Sequence, residues 1–399
     1  MNKFKKQTIV EVRGVGFVNK GAELMLQAIK QMFLEYNSGI KLVMEVNYSK
    51  GWNIAEKLAS RIRKEGLYVK PTGRWKRINI GFLFGLLPSS WRNKNGFVLE
   101  SQIDVVLDSS GFAFGDTWGA AFAQKRLTSS IRQWRSQGKR VILLPQAFGP
   151  FEDPNVLKEI QTIGKYANLI CARDPVSYQN LAKALPSSKN IVQYPDFTNL
   201  LACHTPIGFD INNHQVALIP NFKMAKVDGG LESYKTVLIN AIAITRKLGY
   251  KPFFLIHEGL KDEKIANDVN SRLNISIPVI RNKDAKEIKG IIGSCYAVIT
   301  SRFHGLVSAL SQGIPCLATT WSHKYKMLMS DYQHMDGLID DLAIDSTILE
   351  KKIKSVLLPE SNEALRRHLL REAERQKKLS VEMWKAVFSM LSADKNLLS

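Results

Sequence analysis

The stretch Tyr296–Trp321, YAVITSRFHGLVSALSQGIPCLATTW, decides what the rest of the chain can become. Its first five residues are an apolar run that predicts a buried parallel strand. Ser301–Gly305 follows as a turn, and Leu306, Ala309 and Leu310 then recur at helical spacing. Gly313 and Pro315 end that helix, and Ile314–Thr320 predicts the next strand. Strand, loop, helix and strand form the parallel crossover unit of α/β proteins. The loop lies at the carboxyl end of the first strand, where open α/β sheets bind ligands. Arg302 and His304 stand two apart in it and are expected to project the same way from an extended segment. Ser301 is expected to cap the helix, whose free N–H groups favour an anion. A phosphate or carboxylate site is the functional reading. The plain alternative makes Arg302 a surface residue and His304 only a cap.

A chain of 399 residues, 45% hydrophobic and 23% charged, is long enough for two or three domains with full cores. Cys171, Cys203, Cys295 and Cys316 are far apart, mostly in apolar runs and without metal-ligand spacing. Free buried thiols in a reducing cytoplasm are therefore expected. No carboxylate cluster calls for a metal, and no cofactor is implied. The formal net charge of +20 points to an anionic partner: a phosphorylated substrate, lipid headgroups or nucleic acid. Nucleic acid ranks last, because the basic residues are dispersed and no recognition motif for it is visible. The basic N-terminus, MNKFKKQTIVEV, has too short an apolar part for a signal peptide, and no apolar run is long enough to span a bilayer. The expectation is a cytoplasmic protein, either free or peripheral on the inner face of the membrane.

Other strand ends repeat the first pattern. Thr8–Val12 predicts a strand, and Gly14, Gly16 and Gly21 form a turn before a helical pattern ending near Phe33. This resembles a phosphate-cradling loop but lacks the Lys-Ser/Thr ending, and close packing of helix on strand explains the glycines equally well. Ile40–Val46 is a second strand. Asp104–Asp116, DVVLDSSGFAFGD, is a buried strand ending in Ser109, Ser110 and Gly111, small residues that let a ligand approach closely. Lys139–Leu144 leads into a loop over Pro145–Pro150 that contains Gln146. Leu169–Ala172 leads to Arg173, with Asp174 as cap and Pro175 in the first helical turn. Arg173 either points across the same edge or merely pairs with Asp174 at the surface. After Val192–Asp196 the irregular stretch Thr205–His214 marks a boundary. A second α/β set begins at Gln215–Pro220, with helices at Tyr234–Leu248 and Glu263–Leu273 and strands at Pro252–His257 and near Val279. The charge of Glu360–Leu391 reads as the solvated face of a helix. The expected division is 1–205, 206–350 and a C-terminal helical segment, 351–399.

Ile78–Trp91, INIGFLFGLLPSSW, is flanked by Arg74, Lys76, Arg77, Arg92 and Lys94. It is too short to span a bilayer. It suits docking on an anionic membrane surface, and equally a buried helix with a solvated basic rim.

Taken in order, NKGAE (Asn19–Glu23), DVVLDSSGFAFGD, LLPQAFGPF (Leu143–Phe151), ICARDPVS (Ile170–Ser177), YPDF (Tyr194–Phe197), SRFHGLVSALSQGIPCLAT and HKYKMLM (His323–Met329) resemble the polysaccharide pyruvyltransferase family over roughly residues 10–340. SRFHG with the downstream GIPCLA is the most specific part. The resemblance implies two Rossmann-like α/β domains facing a cleft, a GT-B-like fold. It implies transfer of pyruvate from phosphoenolpyruvate, the donor substrate, onto sugar hydroxyls of a bacterial surface polysaccharide, as a ketal. The glycan acceptor is either the polymer or a lipid-linked precursor. By the family's motifs, Arg302, His304 and Arg173 are the catalytic candidates at the donor. The matching loops assign Asn19, Gly21, Ser110, Gly111, Asp116, Gln146, Asp174, Ser301, Gly305 and Lys324 to substrate binding.

The residue types suit that chemistry. Arginine binds phosphate or carboxylate in bidentate fashion and stays charged. Histidine titrates near neutral pH, so His304 is either the acid that delivers a proton or a ligand of the phosphate. Asp116 and Asp174 are candidate bases for the sugar hydroxyl. Ser109-Ser110-Gly111 departs from the paired or triple glycines usual at that loop, which bears on the acceptor pocket. Two other functions share this fold class: a glycosyltransferase using a nucleotide sugar, and a non-enzymatic protein that recognises an anionic glycan or membrane. Oligomeric state is open.

Overall fold

The computed structural model describes residues 7–36, 39–75 and 78–392. They fall into two compact units, the first comprising residues up to 15, 29–194 and from 384 onward, the second 16–28 and 195–383. Each is a parallel α/β unit.

The first unit contains β1 (Ile9–Arg13), β2 (Lys41–Asn47), β3 (Tyr68–Thr72), β4 (Arg74–Trp75), β5 (Ile78–Asn79), β6 (Val105–Asp108), β7 (Phe112–Phe114), β8 (Arg140–Phe148), β9 (Leu169–Ala172) and β10 (Ile191–Gln193). Its main sheet runs β10-β9-β8-β6-β1-β2-β3, with β7 on β8, while β4 and β5 form a separate hairpin. All pairs of the main sheet are parallel, with Val10 opposite both Leu42 and Val105. The order reverses between β1 and β6, which puts a ligand crevice at their carboxyl ends. There Gly14, at φ +82°, packs on the backbone of Ser109 and Ser110 too closely for any side chain.

Two expectations are corrected in this unit. Pro145 does not end a strand: β8 continues to Phe148, and its register against β9 shifts between Leu143 and Gln146, where a residue without an N–H is tolerated. Ile78–Trp91 is neither one buried helix nor a uniformly exposed one. Pro88 separates the helices Ile80–Gly85 and Ser89–Lys94; Ile80 and Phe84 are buried, whereas Phe82, Leu86 and Trp91 face solvent.

The second unit contains β11 (Val216–Ile219), β12 (Pro252–Ile256), β13 (Val279–Arg281), β14 (Ala297–Thr300), β15 (Cys316–Thr319) and β16 (Leu338–Ile339), in the parallel order β13-β12-β11-β14-β15-β16. Tyr296–Trp321 forms β14, helix Phe303–Leu310 and β15, as its pattern predicts. Leu306, Val307 and Leu310 are buried under the sheet, each contributing about 1.5–3 kcal/mol. The order reverses between β11 and β14, so Asn221 and Ser301 lie at the switch point.

Helix Pro359–Ser392 is charged on one face, as expected, but its other face is core. Leu369 and Ala373 join the cluster under β14 and β15, and Trp384 and Phe388 pack with Phe33 in the first unit. All four cysteines are free, three of them buried and Cys203 half-buried. No helix among the described residues is long and apolar enough to cross a membrane.

Candidate active site

The site in the second unit is built on the turn after β14. The carbonyl of Ser301 accepts hydrogen bonds from Asn221 Nδ2 (2.7 Å) and the Tyr325 hydroxyl (2.7 Å). Ser301 Oγ is engaged by Tyr234 and Thr319, so this serine does not cap the helix. The N-cap is Arg302, with extended backbone and no side-chain cap bond. The helix begins one residue later, so His304 lies in its first turn. The period of two that would align Arg302 with His304 is thereby broken, and their side chains have different partners.

The Arg302 guanidinium pairs through Nη1 with Glu258 and through Nη2 with Asp262, while its Nε is buried without a hydrogen-bond partner. Glu258 is partly exposed, but Asp262 is fully buried and also accepts the Phe222 N–H at 2.9 Å. Burial lowers the Arg302 guanidinium to about 10, which leaves it a cation at neutral pH. His257, the residue after β12, is 3% exposed, and its Nε2 has no hydrogen-bond partner. Burial, reinforced by the charges of Arg302, His304 and Lys20, holds this imidazole well below its ordinary range and therefore neutral.

His304 Nε2 stands 3.6 Å from Asp196 Oδ2. Asp196 caps the short helix Phe197–Leu200 through the Thr198 N–H (3.0 Å). That segment is held by Lys289, whose Nζ donates to the carbonyls of Thr198 (2.7 Å) and Leu201 (2.9 Å). Burial lowers this ammonium to about 8. The other side of the His304 ring meets Gly21, where a Cβ would overlap Nδ1. Asn19 Oδ1 accepts from the N–H groups of Gly21 (2.9 Å) and Ala22 (3.2 Å) and so caps helix Lys20–Tyr36. Lys20 Nζ donates to Glu23 (2.5 Å) and to the Lys283 carbonyl (2.5 Å).

Gly305 is buried in the first turn behind His304. Lys324 lies over the rings of Trp321 (4.6 Å) and Phe303 (5.1 Å), and Lys223 also lies over Trp321 (4.4 Å). Burial and then the nearby Arg302 charge lower Lys223. The structure thus brings Asn19, Gly21, Ser301, Arg302, His304, Gly305 and Lys324 into one unit.

The remaining candidates belong to the first unit. Ser110 donates to Asp108 from its N–H (3.2 Å) and Oγ (3.0 Å), and Gln146 Nε2 donates to the same carboxylate (3.1 Å). The Gly111 carbonyl accepts the Ala147 N–H at 2.9 Å. Arg173 is buried, and its N–H bonds the Gln146 carbonyl at 3.0 Å. Asp174 is a cap, as expected: it accepts from Ser177 N–H (2.8 Å) and Oγ (2.9 Å). Asp116 accepts the N–H groups of Glu152 (2.8 Å) and Asp153 (3.3 Å). Both candidate bases therefore have their oxygens engaged.

Sequence reasoning overlooked His257, Glu258, Asp262, Asp196 and Lys20 as parts of the site. A signal existed for the first two, which directly follow an apolar strand in the same position as Arg302. Among the described residues no group of His, Cys, Asp and Glu is arranged to hold a metal ion. The assembled chemistry is an anion site of arginine, lysine and two histidines, with one imidazole backed by a carboxylate.

The chain matches the family model for polysaccharide pyruvyl transferase over residues 19–323. Among solved structures it is similar to Anabaena Alr3699/HepE in complex with UDP and glucose, with a TM-score of 0.60, 11% identity, and coverage of 97% of this chain and 100% of that one. It is also similar to UDP-GlcNAc 2-epimerase from Neisseria meningitidis bound to UDP-GlcNAc, with a TM-score of 0.56, 10% identity, and coverage of 96% and 100%. The S. aureus MnaA–UDP structure gives a TM-score of 0.55 at 11% identity, with 98% of each chain covered. These likenesses show the fold alone, that of GT-B enzymes. No curated protein sequence matches.

Proposed function

The chain belongs to the polysaccharide pyruvyl transferase family, and we propose that it moves pyruvate from phosphoenolpyruvate onto two hydroxyls of a glycan as a cyclic ketal. The observation that carries this reading is the pairing of Arg302 with two carboxylates beside His304 and His257. A guanidinium that holds Glu258 and Asp262 is shaped to hold carboxylate or phosphate oxygens. In this reading the donor displaces the partly exposed Glu258, while buried Asp262 keeps Arg302 in place.

His304, backed by Asp196, delivers a proton to the methylene carbon of phosphoenolpyruvate, which becomes the methyl group. The positive charge left at the adjacent carbon is met by a sugar hydroxyl, whose proton leaves with a base as the C–O bond forms. The bond between that carbon and the phosphate oxygen then breaks, the second hydroxyl closes the ring on the same carbon, and its proton leaves with the departing inorganic phosphate. Neutral His257 donates its ring N–H to the phosphate or carboxylate. By the family motif alone, Arg173 of the first unit is a further catalytic candidate. The acceptor is a bacterial surface polysaccharide or its lipid-linked precursor, modified on the cytoplasmic side.

The competing reading takes the UDP bound in the similar structures as a guide and makes the donor a nucleotide sugar. Phosphoenolpyruvate labelled in its pyruvyl carbons decides between them. Acid-labile label on the glycan, with one phosphate released per pyruvyl group, supports pyruvyl transfer. No label with any bacterial glycan tried, together with turnover of a UDP-sugar, overturns it.

A further inference from the structure

The first unit carries a half-open cavity of about 1360 Å³, none of whose lining residues belongs to the candidate active site. Its wall is a chain of aromatic rings: Tyr48 to Phe84 at 5.6 Å, Phe84 to Phe97 at 4.7 Å and Phe97 to Trp91 at 5.8 Å. Leu83 and Leu87, from Ile78–Trp91, also line it. Two polar groups of the wall share Glu56. The Tyr48 hydroxyl donates to Glu56 (2.7 Å), and Arg63 faces the same carboxylate (3.5 Å) while lying over Phe97 (4.9 Å). Two further cations, Arg74 and Lys94, line the cavity, are exposed, and pair with no carboxylate among the described residues. Phe82 and Leu86, on the same helical stretch, are 65% and 69% exposed.

The rings and leucines of the wall suit an apolar chain, and a neutral apolar molecule would make no use of the cations. We propose that the cavity binds one amphiphile, its apolar chain against the aromatic wall and its phosphate-type head on Arg74 and Lys94. The inference rests on the pyruvyltransferase reading only in identifying this amphiphile as the carrier of a lipid-linked acceptor. Binding itself is independent of the donor.

Titration calorimetry of the full chain with dodecyl phosphate below its micelle concentration is the test. Saturable binding is expected, weaker by about tenfold or more for the neutral-headed dodecyl maltoside and absent for inorganic phosphate. Leu83→Trp, which puts a bulky ring on the apolar wall where the chain would lie, weakens it by about tenfold or more. The exposed pair Arg74→Glu and Lys94→Glu, which leaves packing intact, weakens it by about tenfold or more. Phosphoenolpyruvate binding, measured on the same samples, stays unchanged in both, so that loss of donor binding alone overturns the functional reading and not this one. Equal binding of dodecyl phosphate and dodecyl maltoside, or indifference to both sets of variants, overturns the cavity. So does co-sedimentation with phosphatidylglycerol vesicles that neither Leu83→Trp nor dodecyl phosphate reduces, which would mean docking on a flat lipid surface.

Discussion

The imidazole of His304 rests against the backbone of Gly21, leaving no room for a Cβ. With Asp196 on its other nitrogen, the ring is held from two sides. Gly21→Ala therefore has to turn or displace His304. Activity is expected to fall by about a hundredfold, as misplacing a reacting group by an ångström does. Steady-state phosphate release checks this, with the melting temperature reporting an intact fold. Unchanged turnover would mean that the position of His304 is not critical.

Arg302 holds two carboxylates of unequal standing. Asp262 is fully buried and burial raises its carboxyl to about 7, so Arg302→Ala leaves it unpaired and drives it to take up a proton; the loss is about 3 kcal/mol, and Asp262→Asn in the same chain restores most of it. Glu258 is partly exposed and occupies the guanidinium where a donor anion would bind. Glu258→Gln is expected to tighten phosphoenolpyruvate binding by about tenfold. Denaturant melts test the first statement and equilibrium titration the second. Weaker binding in Glu258→Gln would make Glu258 a donor ligand rather than a competitor.

The pH dependence follows from His257. Its folded-state value lies well below the ordinary 6.5 because the ring is buried, while the unfolded chain takes up a proton near 6.5. Below that pH the unfolded state binds more protons, so stability falls as pH falls, by up to about 1.4 kcal/mol per unit from this group. His257→Phe is expected to flatten the stability profile between neutral pH and its acid limb. Urea melts across that window check it, and parallel profiles for the two proteins would exclude the effect.

In the first unit Lys70, 2% exposed, donates to Glu11 (2.6 Å) and Glu100 (2.8 Å), and Arg13 also holds Glu11 (3.0 Å). Lys70→Met leaves buried Glu11 with Arg13 alone and should cost about 3 kcal/mol. Adding Glu11→Gln should recover most of that loss. A double-mutant cycle by denaturant melts measures it.

The strand ends were readable because apolar runs and small or polar residues alternate in period, and the parallel order puts all carboxyl ends of a sheet on one edge. Leu169–Ala172 and the crossover around SRFHG appear as their patterns predict. Pro145 misled because its missing N–H falls at a register shift, which only the neighbouring strand reveals. Ser301 misled because hydroxyls from distant Tyr234 and Thr319 claim its side chain. Asp196 is far from His304 in sequence and meets it only through packing, so no spacing rule could join them.

The most direct test of the account is titration calorimetry of phosphoenolpyruvate into the wild type and Arg302→Lys. The lysine keeps a positive charge for Asp262 but loses the planar fork. The account predicts saturable binding to the wild type, weakening by about tenfold or more in Arg302→Lys, and no competition from UDP. Equal binding to both proteins would remove Arg302 from the donor site. Failure to bind phosphoenolpyruvate, with UDP bound instead, would contradict the assignment of pyruvyl transfer.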